Sequence, residues 1–236
     1  MRGLFRSGDR VPTIKDTVNV ARHAPAMNEA TLVDRYGWEE AGAPCSCAYL
    51  VPEILQILTR LGPRSVLDLG CGNGALCGLL KKTGYAVAGC EYDSNGVNIA
   101  RSAHPGISFY NLGVEDDPAA LLAAHGKFDL VVSTEVIEHL FSPHHLPMFA
   151  GRVLADNGYL VLSTPYHGYL KNLALSLAGK WDAHHTALWH GGHIKFWSRP
   201  TLTRLMEEHG FQVLEFHGVG RMPYLWKSMI LVCRKR

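Results

Sequence analysis

Residues 66–74 read Val66-Leu67-Asp68-Leu69-Gly70-Cys71-Gly72-Asn73-Gly74. An apolar run that ends in alternate glycines is the pattern of a buried parallel strand breaking into a tight turn. Ala75 to Thr83 then has helical spacing, so the stretch predicts strand, glycine turn and helix in succession. Such a turn lets the backbone approach a ligand closely at the start of a helix, where amide groups lack partners. The spacing alone leaves the ligand open, because Gly70, Gly72 and Ala75 also satisfy the dinucleotide pattern GxGxxG/A. Asp68 separates the two cases. A carboxylate two residues before the first glycine opposes a diphosphate and suits a ligand carrying an amine. Glu91 ends the next predicted strand about twenty residues on, where it can accept both hydroxyls of a ribose. Tyr92, beside it, is placed to lie against a base.

The alternation extends in both directions. Upstream, Pro52 to Leu61 has apolar residues at helical spacing, with Pro52 suited to the first helical position and Gly62-Pro63 as a stop. Downstream, strands are predicted at Tyr85–Glu91, Ile107–Tyr110, Phe128–Ser133 and Tyr159–Ser163. Between them lie helices at Asn95–Ala103, from Asp117-Pro118 to near Gly126, and over most of Pro143–Leu154. A helix at Ser198–His209 and strand-like runs at Phe211–His217 and Ser228–Arg234 complete the pattern. The last two have no helix between them, which implies an antiparallel pair at the end of a mainly parallel, seven-stranded α/β sheet covered on both faces. Residues 1–45 read as an irregular or helical extension, and 46–236 as one domain. Within it, Pro165 to Trp197 is long, aromatic and His-rich, and reads as a lid-like insertion.

The 236 residues suit one such domain, with 19% charged and 47% hydrophobic residues and a net charge of +2. Lys and Arg do not cluster, which argues against nucleic acid as a partner. No apolar run is long enough to span a bilayer, and Met1 to Arg10 lacks the apolar centre of a secretory signal, so a cytoplasmic location is expected. Cys45, Cys47, Cys71, Cys77, Cys90 and Cys233 lack paired CxxC spacing and read as buried free thiols. His184, His185, His190 and His193 cluster without the spacing of a strong metal site.

With these residues in view, the chain resembles the class I S-adenosylmethionine-dependent methyltransferases, which share a Rossmann-like fold. VLDLGCGNG resembles their first motif, GCEYD their second and FDLVVSTEVIEHL their fourth-strand motif; the likeness covers about residues 46 to 236. Within the class it is most similar to the ubiquinone-biosynthesis O-methyltransferase type, through Glu135-Val-Ile-Glu-His139 and Val114-Glu115-Asp116. The resemblance implies that Asp68, Gly70, Cys71 and Gly72 hold the amino-acid end of S-adenosyl-L-methionine and Glu91 its ribose. It places Tyr92, Val114 and Glu115 around the adenine and Thr134 near the sulfonium. Two positions depart from the pattern. Gly113 stands where the wider class often has Asp, and Cys47-Ala48-Tyr49-Leu50 lacks the upstream Arg of the ubiquinone enzymes, leaving Tyr49 as its substitute.

Methyl transfer is an in-line displacement, so alignment supplies much of the acceleration. For a hydroxyl acceptor a proton must also leave. A phenol near pKa 10 facing a His near 6.5 leaves about 3.5 units, or about 5 kcal/mol, to be offset. A divalent metal can do so by polarising the acceptor oxygen. Glu135, Glu138 and His139 would share one face if a helix begins there, and the resemblance associates this cluster with a metal. The alternative is that Glu138-His139 braces the loop. His139, His193 and Glu135 are the catalytic candidates, His193 being equally open to a buried, hydrogen-bonded role. In the insertion, Tyr169, Leu170, Leu173, Ala174 and Leu177 form an apolar face, with Lys171 and Lys180 beside it. That face suits a lid over the pocket or, as a second reading, peripheral membrane contact through 169–180. The expected reaction is methylation of a small molecule, at the oxygen of a phenol, quinol or sugar hydroxyl. N- or C-methylation of a natural-product intermediate, an NAD-binding oxidoreductase and a non-catalytic binding module are the alternatives.

Overall fold

Apolar side chains alternate along the central strands, and the chain solves their burial by layering helices on both sides of one sheet. The computed structural model describes residues 37–38, 40, 42–185, 188–189 and 191–236; most of the expected extension, and His190, lie outside these residues. In chain order the elements are α1 (Cys47–Leu61), β1 (Ser65–Leu69), α2 (Ala75–Lys82), β2 (Ala86–Glu91), α3 (Ser94–Ala103) and β3 (Ser108–Asn111). Then follow α4 (Ala119–His125), β4 (Phe128–Thr134), α5 (His145–Val153), β5 (Leu154–Pro165), α6 (Tyr169–Leu177) and α7 (Trp181–His185). The chain closes with α8 (Arg199–Glu208), β6 (Phe211–Val219) and β7 (Ser228–Lys235).

The sheet has seven strands in the order β3-β2-β1-β4-β5-β7-β6. β1 to β5 pair in parallel, and β7 runs antiparallel to both β5 and β6. The expected Rossmann-like architecture is therefore observed, terminal pair included. Period-two alternation explains the two cores: Leu67, Leu69, Val131, Leu160 and Leu231 face one helical layer, and Val66, Leu130, Val132, Val161 and Val232 the other. Each such side chain contributes about 1.5–3 kcal/mol when fully buried. Strand order reverses between β1 and β4, and in open α/β sheets ligands bind at the carboxyl ends of the strands there. Asp68, Glu91 and Thr134 all lie at or near those ends.

One sequence expectation needs correction, and two readings left open gain a structural answer or direction. The first helix begins at Cys47, so Pro52 lies inside it and not at its start. Burial of Leu50 against the core carries the helix past the proline, outweighing one lost backbone hydrogen bond. No helix forms at 135–139: Glu135 takes a left-handed conformation with φ 54°, and a turn follows it. The apolar face of α6 turns outward. Tyr169 and Leu177 are 78% and 81% exposed, whereas Lys171 is only 5% exposed. All six cysteines are free thiols, four of them buried; Cys45, by contrast, is exposed.

Candidate active site

Positive φ at Gly70 (80°) and Gly72 (54°) shapes the turn after β1. A Cβ at Gly70 would stand 2.4 Å from Val136, and one at Gly72 would stand 2.2 Å from the Trp38 indole, so neither position accepts a side chain. Asp68, 1% exposed, sits beneath this turn. Its Oδ2 accepts from the Cys77 thiol at 3.3 Å, while Oδ1 has no hydrogen-bond partner among the described residues. Burial raises its pKa to about 7, and the charge of Glu91 adds to the shift. An unpaired buried carboxylate oxygen is costly and fits a cationic ligand.

Glu91 is held from two sides: Gly72 N–H donates to Oε2 at 2.8 Å and Asp93 N–H to Oε1 at 2.8 Å. Each oxygen keeps a lone pair for a further donor. Burial raises its pKa against the pull of these backbone donors. Tyr92 is exposed beside Gly113, whose N–H donates to Asp116 Oδ2 at 2.7 Å. Val114 packs on the core, and the Glu115 carboxylate turns to His145 at 2.9 Å. Cys71 is buried, its thiol facing Gly89.

Beyond β4 the chain gathers a second set of polar groups. Glu135 accepts from the hydroxyls of Ser163 (2.8 Å) and Ser228 (3.1 Å), and Tyr49 Oη lies 3.3 Å from the Ser228 hydroxyl. Glu138 is fully buried; its Oε2 accepts from Thr164 Oγ1 at 2.9 Å, and its Oε1 has no hydrogen-bond partner among the described residues. Burial pushes both carboxyls upward, Glu138 further because Glu135 faces it. The Glu138 carbonyl accepts from Ile194 and Lys195 N–H at 2.9 and 3.0 Å, which pins the distant 191–195 loop beside it. His193 is thereby brought to His139, with ring centroids 4.9 Å apart. His139 Nδ1 lies 2.7 Å from the Gly191 carbonyl, which assigns the proton to Nδ1 and leaves Nε2 as an acceptor. Burial lowers the pKa of both histidines, that of His193 to about 4.

The three donor atoms that converge within 4.8 Å of one another belong to Glu138, His139 and His193. The expected trio of Glu135, Glu138 and His139 is not the one brought together, because without a helix Glu135 turns to Ser163 and Ser228. Sequence reading also missed Trp38, which covers Gly72 and Gly96, and the two serines that seat Glu135. No local pattern marks any of them.

Residues 41–216 match the family described as a methyltransferase domain. This chain belongs to that methyltransferase family. It is a class I, S-adenosylmethionine-dependent enzyme, as its motifs imply. Among similar proteins is a ubiquinone biosynthesis O-methyltransferase of Bradyrhizobium diazoefficiens, 29% identical over 71% of this chain and 66% of that protein, just under two thirds of its length. Another, of Roseobacter denitrificans, is 27% identical over 80% of this chain and 82% of its own. The fold is shared with the magnesium protoporphyrin IX methyltransferase of Synechocystis, solved with bound SAH, at a TM-score of 0.57 and 17% identity, covering 79% of this chain and 81% of that one.

Proposed function

We propose that this methyltransferase acts on oxygen of a phenol- or quinol-like small molecule, with Glu135 as the group that manages the acceptor's proton. The observation that carries the reading is the buried Glu135 carboxylate, seated by Ser163 and Ser228 one residue beyond the carboxyl end of β4. When bound, S-adenosylmethionine supplies a methyl group on a positively charged sulfur. Asp68 pairs with its ammonium group, Glu91 accepts from its ribose hydroxyls, and Tyr92 lies along its adenine, with Val114 closing the slot. Gly70, Cys71 and Gly72 allow the close approach, and Thr134 borders the methyl. Glu115, committed to His145, contributes through its backbone alone. Burial makes Glu135 a stronger base than an exposed carboxylate, which narrows the gap to a phenol. Tyr49, linked to Glu135 through Ser228, orients that carboxylate. The similarity to ubiquinone biosynthesis O-methyltransferases supports this substrate class. The direct test is methyl transfer from labelled S-adenosylmethionine to catechols and quinols. Labelling of an amine acceptor in preference to both would overturn O-methylation.

Residues 46–236 form the methyltransferase domain in this reading, with 165–197 as its substrate-facing insertion. A divalent cation would be held by Glu138, His139 and His193, where it would polarise the acceptor oxygen. One carboxylate and two neutral imidazoles favour zinc, iron or manganese over magnesium. Chelation is expected to lower the rate at least tenfold, with recovery on adding Zn2+ or Mn2+. His139→Ala and His193→Ala should lower turnover similarly while S-adenosylhomocysteine affinity stays within about threefold of wild type. Unchanged turnover in both variants removes the histidines and the metal together.

We further infer that the insertion touches a lipid surface. No described helix is long and apolar enough to cross a membrane. The outward Tyr169, Leu170, Leu173 and Leu177 instead suit shallow insertion, with Lys180 beside them for anionic headgroups. Vesicles with 30% anionic lipid should therefore co-sediment the protein, and Leu173→Glu with Leu177→Glu should abolish this without changing turnover of a water-soluble acceptor. Equal co-sedimentation of the double variant would refute the contact.

A further inference from the structure

Lys171 is the anomaly of α6. The helix exposes its apolar residues and buries a lysine, the reverse of the usual arrangement. The ammonium donates to the Lys227 carbonyl at 3.2 Å, and neither Lys171 nor Arg221 has a carboxylate ion pair among the described residues. Three imidazoles surround this region. The His167 ring lies 5.9 Å from that of His184 and 5.6 Å from that of His185, and the latter two are 5.0 Å apart. His167 is 8% exposed, yet its Nε2 has no hydrogen-bond partner among the described residues, and neither has His185 Nε2. Segment 166–168, α6, α7 and the β6–β7 loop thus converge to place basic groups together with unpartnered imidazole nitrogens.

The electrostatics agree. Burial, with help from the Arg221 guanidinium, lowers the Lys171 pKa to about 8. Burial and Lys171 together hold His167 near 3 and His184 near 4. The Glu135 carboxylate works against these shifts and favours the charged ammonium of Lys171. A negative group entering the cluster would offset the repulsion among these basic groups and favour their charged forms.

We propose that this cluster receives an anionic substituent of the methyl acceptor, a carboxylate or a phosphate, held by Lys171 and Arg221, with the unpartnered Nε2 atoms of His167 and His185 taking up solvent protons as the anion enters and donating to it. The proposal rests on the reading of the Glu135 region as the acceptor site. The acceptor is then a hydroxylated aromatic acid or ester phosphate, its reacting oxygen toward Glu135 and its acidic end toward α6.

The test uses the full chain saturated with S-adenosylhomocysteine and titrated calorimetrically with catechol and 3,4-dihydroxybenzoate. Wild type should bind the acid at least tenfold more tightly. Lys171→Met and the exposed Arg221→Gln should each remove most of that preference and leave catechol binding unchanged. Phenyl phosphate against benzoate, in parallel, separates the two anion classes. Equal affinity for acid and catechol in wild type, or a preference retained in both variants, overturns the anion pocket alone. Failure of S-adenosylhomocysteine to bind in the first step instead overturns the cofactor reading beneath it.

Discussion

Asp68→Asn is expected to weaken S-adenosylhomocysteine binding about 50-fold at pH 7.5, an effect of ~2.3 kcal/mol, the size of a hydrogen bond to a charged group. Calorimetry on the purified variant measures it directly. The same carboxyl sets a pH dependence. Its pKa in the ligand-free fold is about 7, so affinity in wild type should rise with pH up to that value. Above about pH 8 it should fall again, as the α-amino group of the ligand loses its proton. Asparagine should erase the acid limb and keep the alkaline one. The stability sign runs the other way. An acid whose folded pKa is raised makes the native state the better proton binder between about pH 4 and 7, so the ligand-free protein loses stability from Asp68 as pH rises through that window. Asp68→Asn should accordingly raise the ligand-free Tm at pH 8 while damaging binding. A variant that binds as tightly as wild type would remove Asp68 from the cofactor site.

Glu135→Gln should lower kcat about 100- to 1,000-fold and change S-adenosylhomocysteine affinity less than threefold, within the range for loss of a positioned general base. Glutamine keeps the length and the acceptor oxygen that one serine needs, so the seat made by Ser163 and Ser228 survives in part. Steady-state rates with a catechol acceptor, read as separate kcat and KM, decide the matter. A rise in KM with kcat intact would mean that Glu135 only positions the acceptor. Full activity would point to solvent as the proton sink.

The cofactor crevice was legible because its chemistry is local. Asp68, Gly70 and Gly72 sit within one turn, and Glu91 ends the neighbouring strand, so spacing alone placed them together. Sheet order and the terminal antiparallel pair followed from strands with and without helices between them. The acceptor side was legible only in part. His193 joins Glu138 and His139 through backbone bonds from Ile194 and Lys195 to the Glu138 carbonyl, a contact no periodicity encodes. The sequence left open whether a helix begins at Glu135, and the φ of 54° there decides against one. Along α6 the amphipathic pattern was legible but its direction stood open between lid and lipid surface, because a hydrophobic stripe does not say which side faces the core.

The indole of Trp38 rests on the bare Cα atoms of Gly72 and Gly96, alongside the Glu91 side chain. Of the five tryptophans in the chain, this one lies against the turn that would cradle the nucleoside. On the proposed seating of the nucleoside, its emission should change with occupancy, and a chain stripped of the other four should report ligand arrival in real time without any attached dye; unchanged emission at saturating S-adenosylhomocysteine would place the ligand elsewhere.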